Sequence, residues 1–389
     1  MNHVVVVGAG LAGVRSVEAL RARGYRGRVT LVGDENHRPY DRPPLSKAVL
    51  LGDLDSTVVD SDLGALDVDL RTSVSAKGLR QGALETTEGE LEYDGLIIAT
   101  GASPIRLRGE GTQHVLRTID DALALRELLV PKAHVVVVGA GWIGAEVATA
   151  ARRAGCAVTV VEAAQSPLAV ALGTEVGGRT VPWYAEAGID LRLGTMVGSV
   201  DPGGLTMMDG SWIPADVVVT GVGVRPTVGW LAGSGVEIDN GVLVDEHLRT
   251  SMEGIVAVGD CANWWSRRFG RRMRVEHWDT ALNAPETAVA TLLGETAVYD
   301  PVPYFWSEQF GRMLQYAGHH DGARLVLRGD PATDRKWAAC WLTDDHRLAA
   351  ILTVDRPRDL VQGRRIVEGG QRLDVDRAMD PSVPLRDCL

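Results

Sequence analysis

Residues 3–13 read HVVVVGAGLAG, and residues 134–144 read HVVVVGAGWIG. The same pattern thus stands twice in the chain, about 130 residues apart. Four consecutive valines in each copy suit a central parallel strand covered on both faces, where no polar alternation is needed. Each strand runs into glycines at a G-x-G-x-x-G spacing: Gly8, Gly10 and Gly13 in the first copy, Gly139, Gly141 and Gly144 in the second. A helix is predicted after each. In the first, Leu11, Val14, Val17 and Leu20 recur at helical spacing until Gly24 stops it. Residues 29–32 and 158–161 read as the second strand of each unit.

An acidic residue closes each unit: Asp34 lies 21 residues after Gly13, and Glu162 lies 18 after Gly144. Glycine spacing alone is weak, but strand, turn, helix and distal carboxylate together form the dinucleotide-binding fingerprint of a Rossmann-like fold. The first glycine permits the tight turn and the second lets backbone approach a pyrophosphate. The third lets helix pack on strand, while the helix N-terminus supplies amide donors and a positive dipole end. The carboxylate accepts from the ribose hydroxyls of an adenosine and repels a 2′-phosphate. Glu162 stands in VVEAAQS with no arginine in the next few positions, which favours NADH over NADPH.

Composition narrows the setting. A chain of 389 residues is too long for one core, so two or three domains are expected. Hydrophobic residues at 45% and charged residues at 23% describe an ordinary globular protein. A net charge of −11 argues against nucleic acid, which calls for a basic stripe. The apolar runs are strand-sized, too short for membrane insertion. With a buried strand already beginning at residue 4, no leader is expected and the location is read as cytoplasmic. The four cysteines, Cys156, Cys261, Cys340 and Cys388, form no C-x-x-C or C-x-x-x-x-C pair, so neither a metal site nor a local redox disulfide is expected.

Two further segments separate the nucleotides. Residues 96–101 read LIIATG and residues 254–260 read GIVAVGD, each a short apolar strand ending in a glycine turn. They resemble the A-T-G and G-D signatures of the two-dinucleotide flavoproteins, the glutathione reductase-like family. The resemblance implies an α/β fold of two Rossmann-like dinucleotide-binding domains, the FAD domain being discontinuous, plus a C-terminal α+β domain. The expected boundaries are 1–105 and 226–299 for the FAD-binding domain, 106–225 for the NAD-binding domain, and 300–389 for a C-terminal reductase or docking domain.

The stretch GDENHRPYDRPPLSK at 33–47 is more specific. It resembles the segment that marks NADH-dependent ferredoxin, putidaredoxin and rubredoxin reductases of oxygenase systems, a branch that also holds apoptosis-inducing factor. YDGLIIATGASP, LRTIDDALAL, GAGWIGAEVA, VGVRPT, AVGDCANWW, EHW and PYFWSEQFG extend the resemblance over nearly the whole chain.

What it implies can be carried residue by residue. Ala12, Asp34, Lys47, Arg117 and Asp260 match positions that contact a non-covalent FAD, and Trp278 matches one near the flavin ring. Glu35, Arg42, Thr100, Gly101 and Gly259 join them, with Val74 as a looser adenine-side backbone contact. Ile143 and Gly223 join Gly139, Gly141, Gly144 and Glu162 on the NADH side. Glu146 matches a glutamate that pairs with the lysine at Lys47; an ammonium there stabilises the negative charge that reduction brings to the flavin, and the carboxylate positions it. Trp142 matches an aromatic that covers the flavin face and moves for NADH, although a packed aromatic at a helix start fits the same slot. Lys47, Glu146 and Trp142 are therefore the expected catalytic residues.

Residues 40–50 read YDRPPLSKAVL, without the cysteine pair through which disulfide reductases relay electrons. Electrons are thus expected to leave the flavin directly, to a small iron–sulfur protein, ferredoxin before rubredoxin, that feeds an oxygenase such as a cytochrome P450. The alternatives are an NADH-binding flavoprotein with a signalling role like that of apoptosis-inducing factor, and an NADH oxidase or diaphorase. A basic docking face is expected for an acidic ferredoxin; RRFGRRMR at 267–274 and DRPRDLVQGRRIVEGGQR at 355–372 are the candidates. EHWDTALNAPETAV departs from the family pattern, and Pro285 and Glu286 are expected in the first turn of a helix.

Overall fold

The computed structural model describes residues 1–389, which group into two compact units. The first gathers 1–41, 57–103 and 225–303; the second gathers 42–56, 104–224 and 304–389.

In the first unit, five parallel strands lie in the order Ile255–Ala257, Gly95–Ile98, His3–Val7, Arg28–Val32, Asp69–Arg71. The valine run occupies the centre, with Val4 opposite Val29 on one side and Gly95 on the other. Its side chains are fully buried, as a strand covered on both faces demands. Helix Leu11–Ala22 follows the first glycine turn and ends at Arg23, with Gly24 beyond it at φ +80°. It packs with helix Trp278–Leu292 in the same core.

That second helix corrects one expectation. Pro285 lies in its interior, not in a first turn, because the helix already begins at Trp278 after His277 and has Asp279 in its first turn. Pro285 cannot donate to the Ala281 carbonyl, a loss of roughly 3 kcal/mol in an isolated helix. Its burial with Ala284 and Ala288 offsets this through packing. Glu286 forms an ion pair with Arg23 at 2.5 Å.

The second unit repeats the design. Its parallel strands run Asp190–Arg192, Ala157–Val161, His134–Val138, Val217–Thr220, and helix Trp142–Arg153 follows the second glycine turn. The repeat extends into side chains. His3 Nε2 and Thr30 Oγ1 lie 2.9 Å apart, as do His134 Nε2 and Thr159 Oγ1. Asp94 accepts from the His3 amide at 2.9 Å, and Asp216 from the His134 amide at 2.7 Å.

The same unit carries a five-stranded antiparallel sheet in the order Tyr304–Gln309, Arg312–Gly318, Leu348–Val354, Trp337–Leu342, Arg324–Arg328, backed by helix Pro357–Gly369. No helix of the chain is long and apolar enough to cross a membrane.

Candidate functional site

The two glycine turns divide their labour identically. A Cβ on Gly8 would lie 2.2 Å from the Ala99 carbonyl oxygen, and one on Gly13 2.0 Å from that of Gly8. In the second copy a Cβ on Gly139 would lie 2.3 Å from the Gly221 oxygen, and one on Gly144 2.0 Å from the Gly139 oxygen. These four glycines are required by the protein's own packing. Gly8 and Gly139 also sit at φ +113° and +101°, where other residues are strained. At Gly10 and Gly141 a Cβ would meet nothing within 4 Å. Neither following helix has a side-chain cap. Open space before uncapped helical amides fits a pyrophosphate.

Several more of the expected FAD residues belong to the first unit. Gly259 approaches Ala12, its Cβ position being 3.2 Å from the Ala12 methyl, which brings the Gly259–Cys261 turn with Asp260 to the start of the helix. Thr100 donates through Oγ1 to the Thr227 carbonyl at 2.7 Å, and Gly101 accepts from the Thr227 amide at 2.9 Å. Asp34 follows Gly33, whose carbonyl accepts from the Val74 amide at 2.9 Å. Glu35 accepts from the Tyr40 hydroxyl, and Trp278 Nε1 donates to Asp41 Oδ1 at 3.0 Å.

His277, next to Trp278, shows what that burial costs. It pushes the imidazole down to about 4, against a weaker opposing pull from Asp260. Between about 6.5 and 4 the unfolded chain therefore binds a proton that the folded chain refuses, so stability rises with pH across this window. Acidification from pH 7 to 4 removes about 3 kcal/mol through this group. Urea unfolding across that range should show the loss, and a His277→Asn variant should lose much of the slope; an unchanged slope would assign it to other groups.

In the second unit, Glu162 Oε2 accepts from the Ala140 amide at 2.7 Å and Oε1 from the Ala164 amide at 2.8 Å. The carboxylate is thus held on the second glycine turn itself. Ile143, next on the helix, is 44% exposed. Gly223 sits at φ +108° and accepts from the Ile105 amide at 3.0 Å.

Lys47 and Glu146 meet here as well. Lys47 ends the short 3-10 turn Pro43–Ser46, and Glu146 stands on helix Trp142–Arg153. Lys47 Nζ lies 2.8 Å from Glu146 Oε2, and the Ser46 hydroxyl donates to the same oxygen. The Ser307 hydroxyl donates to Oε1 at 2.6 Å and accepts from Gln309 Nε2 at 3.0 Å. Glu146 is only 4% exposed, while the Lys47 side chain keeps 20%. A buried carboxylate needs such donors. Trp142 packs edge-to-face on Phe305, ring centroids 4.4 Å apart. Arg42 donates to the Arg117 carbonyl at 2.6 Å, and the Arg117 amide to Asp121 at 3.0 Å. Arg42, Lys47 and Arg117 thus share their unit with the second glycine turn.

Sequence reading gave no role to Ser46, Phe305, Ser307 or Gln309. The last three lie in PYFWSEQFG, whose alternation of inward residues was the available signal. The four cysteines are free and buried, and burial raises every thiol, that of Cys340 to about 12. None is poised as a redox nucleophile.

The arginine-rich segments are largely engaged. Arg267 pairs with Glu246, Arg272 donates to the Val244 and Asn263 carbonyls, and Arg274 pairs with Glu276. Arg356 binds Asp359, and Arg372 approaches Asp345, whereas Arg358 and Arg365 are exposed on helix Pro357–Gly369.

Residues 2–284 match the family model described as pyridine nucleotide-disulphide oxidoreductase, and residues 304–389 match that described as reductase C-terminal. The ferredoxin–NAD(+) reductase component of an anthranilate 1,2-dioxygenase system from Burkholderia cepacia is 36% identical, over 99% of this chain and 98% of its own. The crystal structure of Fdr9 superposes with a TM-score of 0.95 at 50% identity, covering 99% of each chain. That of a covalent putidaredoxin reductase–putidaredoxin complex gives 0.94 at 32% identity, covering 99% of this chain and 97% of the other.

Proposed function

The chain belongs to the pyridine nucleotide-disulphide oxidoreductase family, and from that premise we propose that it is an NADH:ferredoxin oxidoreductase. It binds FAD non-covalently and passes electrons from NADH to a small ferredoxin that feeds an oxygenase, a cytochrome P450 foremost. It works in the cytoplasm. The observation that carries this reading is the doubled cradle, each copy with a second glycine facing open space beside uncapped helical amides.

FAD supplies the step from a two-electron hydride donor to single-electron release. Gly8, Gly10, Ala12 and Gly13 hold its pyrophosphate, Asp34 its ribose and Val74 its adenine side. Glu35, Arg42, Thr100, Gly101, Arg117, Gly259, Asp260 and Trp278 serve the remainder. Gly139, Gly141, Ile143, Gly144, Glu162 and Gly223 hold NADH. Lys47 is the cation that serves the flavin ring, with Glu146 fixing it. The residue spans follow: 1–105 and 226–299 bind FAD, 106–225 binds NADH, and 300–389 meets the partner. The four buried thiols leave no cysteine relay to compete with direct exit.

NADH-driven reduction of cytochrome c, with and without added ferredoxin, tests the reading. Strong ferredoxin dependence is expected; fast peroxide release without ferredoxin would replace it with an oxidase.

Trp142 acts as the gate for nicotinamide. Its edge-to-face contact with Phe305 is worth about 0.5–1.5 kcal/mol, which opening must overcome. Trp142→Ala should therefore tighten NADH binding about two- to tenfold in stopped-flow reduction. Unchanged affinity and rate would remove the gate.

A further inference from the structure

Strand Tyr304–Gln309 lies along helix Trp142–Arg153 in matched steps. Phe305, Ser307 and Gln309 alternate onto one face of the strand. Phe305 meets Trp142 and Ser307 meets Glu146, four residues further along the helix. Just beyond the strand, the Phe310 amide donates to Thr149 Oγ1 at 3.1 Å. Two strand residues advance about 6.6 Å and four helical residues about 6 Å. The strand thus fixes the height of both Trp142 and Glu146.

A hydroxyl has one proton to give. Ser307 donates its hydrogen bond to Glu146 Oε1 and accepts one from Gln309 Nε2, which leaves its rotamer a single choice. Both side chains are buried. Glu146 Oε2 already serves Lys47 and Ser46. Without Ser307 the whole carboxylate charge would fall on that one side and draw the ammonium tighter.

We propose that Ser307, oriented by Gln309, is a positioning residue for the Lys47–Glu146 pair: by taking up carboxylate charge at Oε1 it leaves the Lys47 ammonium available to the flavin. This rests on the reading of Lys47 as the cation that serves the flavin ring. The test is the midpoint potential of FAD in the full-length holoenzyme, followed by dye-coupled spectrophotometric reduction. Lys47→Met should lower it, and Ser307→Ala should lower it toward the Lys47→Met value. A tenfold change in the ratio of reduced to oxidised flavin is expected, about 30 mV for a two-electron couple. Ser307→Thr, which keeps the hydroxyl, should restore the wild-type value, and Gln309→Met should fall between.

If Lys47→Met lowers the potential while Ser307→Ala and Gln309→Met match the wild type, or if Ser307→Ala raises it, the proposal is overturned. If Lys47→Met itself leaves the potential unmoved, the reading of Lys47 fails and takes the proposal with it. Should Ser307→Ala not retain FAD, Gln309→Met decides alone.

Discussion

Gly141→Val should yield a yellow protein that no longer uses NADH, whereas Gly10→Val should yield a colourless one. Both glycines have extended backbone, at φ −77° and −85°, which valine adopts readily. A Cβ at either site meets no protein atom within 4 Å, so the fold tolerates the change. The branched side chain then fills the space proposed for a pyrophosphate at the helix N-terminus. Charge-assisted hydrogen bonds contribute about 1.5–3 kcal/mol each, and losing two weakens binding by about a hundredfold or more. FAD content after purification and NADH titration of the flavin-loaded protein read the two effects separately. The contrast is Gly8→Ala, whose Cβ would collide with the Ala99 carbonyl and whose φ is +113°; it should fail at folding. If Gly141→Val kept its NADH affinity, the second cradle would have another purpose.

Arg328→Leu should be the most destabilising single change in the C-terminal sheet. Its guanidinium is 1% exposed. It donates to Asp359 at 2.8 Å, to the Ala378 and Asp380 carbonyls at 3.1 and 2.5 Å, and to the Val383 carbonyl at 2.5 Å. One side chain thus ties the last residues of the chain to the sheet. Its removal leaves three carbonyls without that donor and a buried carboxylate held only by Arg356. Breaking such a pair costs about 3–5 kcal/mol. Thermal unfolding and proteolysis of residues 374–389 should both report it. Lysine should not rescue, since it cannot reproduce the planar fork. Arg328→Leu combined with Asp359→Leu should recover part of the loss. A single variant within 0.5 kcal/mol of wild type, about the usual surface effect, would contradict this account.

What was legible in the chain follows the range of the interactions. The paired strands, glycine turns and first helices are written in neighbouring residues, and the structure holds them at the expected places. The His3–Thr30 and His134–Thr159 bridges belong to the same repeat, but a histidine ahead of four valines has no recognisable local purpose. Lys47 and Glu146 are 99 positions apart and came to notice only through resemblance. Ser307 lies 161 positions from Glu146, and a serine in a strand carries no signature of its partner. Pro285 departs from proline's local preference for a first turn, standing inside a helix that begins at Trp278 and buries Ala284 and Ala288 in the core. The arginine runs read as free charge, yet most bind carboxylates or carbonyls within the same unit.

On the proposed role of Glu162 in holding NADH, the two backbone amides that grip it bear on selectivity as well as affinity. A recognition group immobilised before its ligand arrives forfeits little rotameric freedom on association. The same tethering denies it an escape route: it cannot swivel aside to admit a phosphorylated sugar. Discrimination between the two nicotinamide coenzymes would then arise from stiffness as much as from charge.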